Sequence, residues 1–186
     1  MTEIAGAPEL FRQAVATMSA VRPRAEIELT EIRPPQRLAP FSYALGAEAT
    51  SPQDDLATGR LILLHDPDAP ESWHGVLRLV AYIRAELDAE LASDPMLPEV
   101  GWSWLTEALE TTQASASSLG GTVTRTSSAR FGDIAGPTRT DDVELRASWT
   151  ALDGELAAHA DAFCAALASM VGLPPVGVVL LTHRHD

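Results

Sequence analysis

Apolar and polar residues alternate along this chain with two different periods, and the changes of period mark its elements. Leu10, Phe11, Ala14, Val15 and Met18 recur at helical spacing, which predicts an amphipathic helix from Pro8, a residue suited to a first turn, to about Ala20. Residues 25–32 alternate, with Ile27 and Leu29 on one face and Glu26, Glu28 and Thr30 on the other, as in a half-exposed strand. Arg33 to Arg37, with two prolines, makes a turn, and Phe41, Tyr43, Leu45 and Ala47 define a second strand. The polar stretch 50–58 is a loop. Arg60 to His65 is apolar on both faces, the mark of a strand covered on both sides.

The acidic, proline-broken segment Asp66 to Glu71 ends that strand. Ser72 then stands as a cap, and Trp73, Leu77, Val80, Leu87 and Leu91 recur at helical spacing, so the main core helix is expected over 72–91. Pro95 and Pro98 separate it from a further helix carrying Trp102, Leu105 and Leu109, which decays through Thr111 to Ser118 and is capped at Gly120-Gly121. Residues 122–131 and 143–151 read as strands joined by a Gly-Pro loop. Asp153 is an expected N-cap for a last helix through Leu156, Phe163, Leu167 and Val171, and 176–181 a short strand or packed tail. A faint echo of strand, acidic turn and helix links 60–91 to 143–171. Residues 1–7 and 182–186 are expected to be flexible. The fold class is α+β: one domain over 1–186, an antiparallel sheet of five to six strands with about four helices packed mainly on one face, in the order α-β-β-β-α-α-β-β-α.

A hydrophobic content of 46% in 186 residues supports a packed core, not a disordered chain. No apolar run is long enough to span a bilayer and the N-terminus lacks a basic, apolar leader, so a cytoplasmic location is expected. The net charge of −13 disfavours nucleic acid as a partner. Every basic side chain is Arg, a bias that a GC-rich genome also produces. The single Cys164 excludes an intrachain disulfide, and its helical setting marks it as a small buried residue.

The familiar catalytic and phosphate-binding motifs are absent, and without Lys there is no Schiff-base chemistry. No catalytic residue and no cofactor is therefore expected. The weak metal candidates are His65, Asp68 and His74, with Asp66, because imidazoles and carboxylates at a strand end suit a divalent ion; a solvated turn fits the same residues. The tail His183 to Asp186 is a second candidate. Arg22, Arg24, Arg33 and Arg37 surround the first strand, interleaved with Glu26, Glu28 and Glu31, which favours internal pairing over a phosphate-binding edge. Trp102 and Trp104 cannot share one helical face, so one belongs to the core and the other is a candidate for an interface. The loop 130–139, with Arg130 and Phe131, is a candidate ligand loop.

At Val100-Gly101-Trp102-Ser103-Trp104-Leu105, Gly121-Thr122-Val123-Thr124-Arg125 and Arg130-Phe131-Gly132 the chain resembles an uncharacterised family of actinobacterial proteins, a domain of unknown function, over nearly its whole length. Those motifs identify a family but imply no activity, and no catalytic residue is carried over; Trp102, Trp104, Arg125, Arg130 and Phe131 stand as the candidate binding residues. Members of the family resemble neighbours of a ribonuclease D-like gene, which implies a link to RNA metabolism. The element order is also similar to that of small acidic secretion-chaperone-like folds, an analogy of topology alone. The leading expectation is a non-catalytic protein that binds a protein or peptide through its sheet face or the Trp102/Trp104 region, with a homodimer as one fitting assembly. The alternatives are a metal-dependent hydrolase built on the His65–His74 loop and an RNA-processing accessory protein.

Overall fold

The computed structural model describes residues 6–51, 56–133, 136–137 and 139–176. Helix α1 spans Glu9–Ser19. Strands β1 (Ile27–Glu31), β2 (Phe41–Thr50), β3 (Leu56–His65) and β4 (Leu77–Leu87) follow, with a 3₁₀ turn at Glu71–Trp73 between the last two. Helices α2 (Ala89–Ser93) and α3 (Leu97–Thr111) lead to strands β5 (Ala116–Ala129) and β6 (Arg139–Ala151), and α4 (Ala157–Met170) closes the set. The six strands form one antiparallel sheet in the order β1-β2-β3-β4-β6-β5. The fold is α+β, as the alternation predicts.

The helix expected over 72–91 is instead the 3₁₀ turn, strand β4 and the short α2. Leu77, Leu79, Ala81, Ile83 and Ala85 are buried, while Arg78, Val80, Tyr82, Arg84 and Glu86 alternate with them on the other side. That is a period of two, unbroken for ten residues. The helical stripe shares only Leu77 with the buried set and leaves Leu79 and Ile83 on the wrong face. The observed order therefore gains a strand ahead of the helix pair, and the echo between 60–91 and 143–171 disappears with the helix. The sixth strand is β4; residues 177–181, and the tail 182–186 with its His183 and His185, lie outside the described residues.

Helix α3 stops at Thr111, well before the expected cap at Gly120-Gly121. Gln113 takes the left-handed conformation (φ 57°), and the N–H groups of Gln113 and Ala114 donate back to the carbonyls of Glu110 and Leu109. A glutamine thus fills the position that glycine usually holds. Both glycines belong to β5.

The odd-numbered residues of β2, β3, β4 and β6 face the helices. Helix α4 lies directly on β3, where a Cβ at Gly59 would stand 2.7 Å from Phe163 Cζ. Helix α1 contributes Phe11 and Met18, both fully buried, and one hydrophobic cluster joins them to Leu61, Leu79, Trp149 and Phe163. Asp153 is not the N-cap of α4. Its Oδ1 accepts from Glu155 N–H, while Thr17 of α1 caps the helix across space: its Oγ1 accepts from Leu156 N–H at 2.9 Å. Thr17→Val keeps the shape and removes that acceptor, and is expected to cost about 1 kcal/mol in urea unfolding.

Candidate functional site

The even-numbered side chains make the other face of the sheet, over which none of the described helices packs. Register places Thr30, Gly46, Arg60, Tyr82, Arg146 and Thr122 in one row across all six strands. The adjacent row is Glu28, Glu48, Thr58, Arg84, Glu144 and Thr124. Tyr82 Oη donates to Glu144 Oε2 at 2.7 Å, and Arg146 Nε donates to Glu144 Oε1 at 2.7 Å. The Arg146 guanidinium also lies 5.6 Å from the Tyr82 ring centroid, within cation–π range. Arg84 pairs with Asp142 at 2.9 Å, and Arg78 donates to Ser148 Oγ, Thr150 Oγ1 and Ser118 O. The hydrogen bond from Tyr82 lowers the Glu144 pKa, and the same bond raises that of Tyr82. Near neutral pH, Tyr82 therefore stays a neutral donor and Glu144 a charged acceptor. The couple is a fixed cross-strand clamp, not an acid–base pair tuned to neutrality.

The two edges of the sheet differ. Strand β1 is five residues long and carries Glu28 and Glu31, a short, charged edge of the kind that resists pairing. Strand β5 is 14 residues long, mostly exposed, with Arg125 as its single charge and no proline. Leu152 N–H donates to Ser115 O, so the even-numbered residues of β6 address β5. The shift between Ser117 and Gly120 preserves that parity, because β6 advances by two, from Thr150 to Ser148. From Gly121 to Ser127 the odd-numbered residues of β5 consequently turn their N–H and C=O groups outward.

The structure disperses the sequence candidates. His65 is buried, its ring 5.9 Å from Phe11 and 5.8 Å from Phe41, and its Nδ1–H donates to Val76 O. Asp68 is exposed on the turn, where its N–H is held by Asp66 Oδ1. His74 adopts φ 54° and shares a hydrogen bond through Nδ1 with Ser118 Oγ. The three do not converge, and no group of three His, Cys, Asp or Glu side chains suited to a metal occurs among the described residues. Trp102 and Trp104 are both partly buried against the core, and Trp102 lies over Gly121 of β5. Arg125 spans to the carbonyls of Ala92 and Asp94, tying β5 to the end of α2. Arg130 donates to Pro137 O, while Phe131 is 81% exposed at the β5–β6 hairpin.

Of the arginines around β1, Arg24 pairs with Glu26 at 2.8 Å and holds its carboxyl down at about 2, and Arg22 donates to the carbonyls that end α1. Arg33 and Arg37 have no partner among the described residues. Cys164 is buried, and desolvation pushes its thiol up to about 12, far from a reactive thiolate.

Sequence reasoning missed the β5 edge, whose signal was the acid-free, proline-free run 116–129, and the Arg60–Tyr82–Arg146 row, whose signal was the period of two in β4. Among the described residues no helix is long and apolar enough to cross a membrane. No curated protein and no solved structure matches the chain. The sequence model of one family matches residues 7–179, nearly everything described above, and the chain accordingly belongs to the family of proteins of unknown function DUF3000.

Proposed function

We propose that this is a non-catalytic interaction protein that takes an extended segment of a partner protein along β5. The observation that supports the reading is the outer edge of β5, long, free of acids and prolines, with its single charge, Arg125, held on the carbonyls of Ala92 and Asp94. Strand addition there would gain main-chain hydrogen bonds, with specificity from side chains on either face. The partly buried Trp102, seated over Gly121, lies behind the same strand.

Panning a displayed peptide library against the protein tests this. The enriched peptides should alternate β-branched or aromatic residues. Val123→Pro and Ser127→Pro each delete one outward N–H without removing a β5–β6 bond, and each should weaken those peptides at least about 10-fold. Binders indifferent to both prolines would remove the reading. A second copy of the chain is the other occupant of this edge, favoured because residues 113–132 contain no acid in a protein of net charge −13. Two such edges can meet without acid–acid repulsion. A dimer in sedimentation that Val123→Pro dissociates would identify it, and a strict monomer would discard it.

A further inference from the structure

We propose that the cleft between Arg33 and Arg60 on the open face binds a small hydroxylated phosphate, of the sugar-phosphate or nucleoside-monophosphate class. The cleft encloses about 460 Å³, a size suited to such a ligand. Its walls include Thr30 of β1, Ile32 and Arg33 just after it, Gly46 and Glu48 of β2, and Thr58 and Arg60 of β3. In the row Thr30–Gly46–Arg60–Tyr82 the glycine carries no side chain, and Thr30 and Arg60 flank it about 10 Å apart, two strand spacings, with Ile32 and Thr30 leaning over it. A Cβ at Gly46 would stand 2.9 Å from Ile32 Cγ2 and 3.6 Å from Thr30 Oγ1, and would push the Ile32 side chain from its place in the cleft wall.

Charge identifies the ligand. Five arginines pair with acids: Arg12, Arg24, Arg84, Arg139 and Arg146. Arg22, Arg78, Arg125 and Arg130 are held by protein oxygens. Arg33, Arg37 and Arg60 have no partner among the described residues, although acids outnumber basic residues two to one in the chain, and Arg33 and Arg60 both line this cleft. Two exposed arginines lining one cleft offer the forked donors that phosphate oxygens match. Thr30 and Thr58 add hydroxyl donors. Glu48, on the same rim, repels a bare anion but accepts from a hydroxyl, so the geometry selects a phosphate that carries hydroxyl groups.

Titration calorimetry at low ionic strength with ribose 5-phosphate, inorganic phosphate and ribose as probes decides the matter. Ribose 5-phosphate should bind saturably, inorganic phosphate more weakly and ribose not at all. Arg33→Gln and Arg60→Gln should each weaken ribose 5-phosphate at least about 10-fold with an unchanged melting temperature, since neither side chain supports the fold. Val123→Pro should leave this binding intact, which separates it from the β5 edge. Adenosine monophosphate binding far tighter than ribose 5-phosphate would assign the cleft to nucleotides, and equal binding to sugar phosphates. No saturable binding below about 5 mM, or binding indifferent to Arg60→Gln, would overturn the proposal. So would loss of binding only in Arg37→Gln, which would place the anion at the β1–β2 turn.

Discussion

Gly121→Ala should destabilise the protein by about 3 kcal/mol, while Gly120→Ala, one residue earlier, should be neutral or slightly stabilising. Neither glycine has a positive φ, so neither is needed for a left-handed backbone. The difference is space. A Cβ at Gly121 would overlap Arg146 O and stand 2.7 Å from Trp102 Cζ3 and 2.9 Å from Ala147 Cα. Two of those three atoms are backbone of the neighbouring strand and cannot turn aside. At Gly120 nothing lies within 4 Å, and alanine there only restricts the unfolded chain. Urea unfolding of the two variants measures the contrast. Equal costs would mean that α3 does not approach β5 as closely as Trp102 over Gly121 requires.

Lowering the pH from 6.5 to 4 should remove about 3 kcal/mol of stability through His159 alone. Trp149 Nε1–H donates to His159 Nδ1 at 3.0 Å, which makes Nδ1 an acceptor and puts the proton of the neutral ring on Nε2. The ring is fully buried, and Nε2 has no hydrogen-bond partner. Charging it would place two N–H donors face to face in an apolar core. Desolvation therefore pulls its pKa down to about 4, against a smaller opposite pull from Asp153. The folded pKa is depressed, so between about 4 and 6.5 the unfolded chain binds the extra proton. The stability is complete above the unfolded pKa of about 6.5 and falls with pH until about 4. Lowered carboxyl groups such as Glu144 and Asp141 lose their contribution further down the scale. His159→Gln keeps an acceptor for Trp149 and should flatten the slope from pH 4 to 6.5. An unchanged slope would mean that the imidazole is hydrated in the folded state.

Elements with one clean period are legible in the sequence. Phe11, Ala14, Val15 and Met18 admit no strand, and Val143 to Ala151 admits no helix. Strand β4 reads two ways, because Leu77, Val80 and Leu87 satisfy a helical stripe while Leu79, Ala81, Ile83 and Ala85 satisfy an alternation. The choice between them rests on Leu63 and Trp149, which lie on either side of Leu79 in the folded sheet. Short-range pattern carries no record of those neighbours. The boundary at Gln113 was hidden for a different reason: glutamine in a glycine's position leaves no local mark. The two candidate surfaces were illegible because an edge and a cross-strand row are properties of strand order. Thr30, Arg60 and Arg146 are far apart in the chain and share a row only through four registers.

Insertion of β6 between β4 and β5 carries a cost during synthesis. Leu87 finds its neighbour in Asp141, 54 residues further on, and Leu77 waits for Ala151. At roughly 5–20 residues per second on the ribosome, the β1–β4 meander is complete for about 3–10 seconds before its missing seam arrives. Throughout that interval β4 presents its outer amides and the apolar side chains Leu77, Leu79 and Ile83 without the strand that later flanks them, and a newborn chain on crowded polysomes is at its most adhesive.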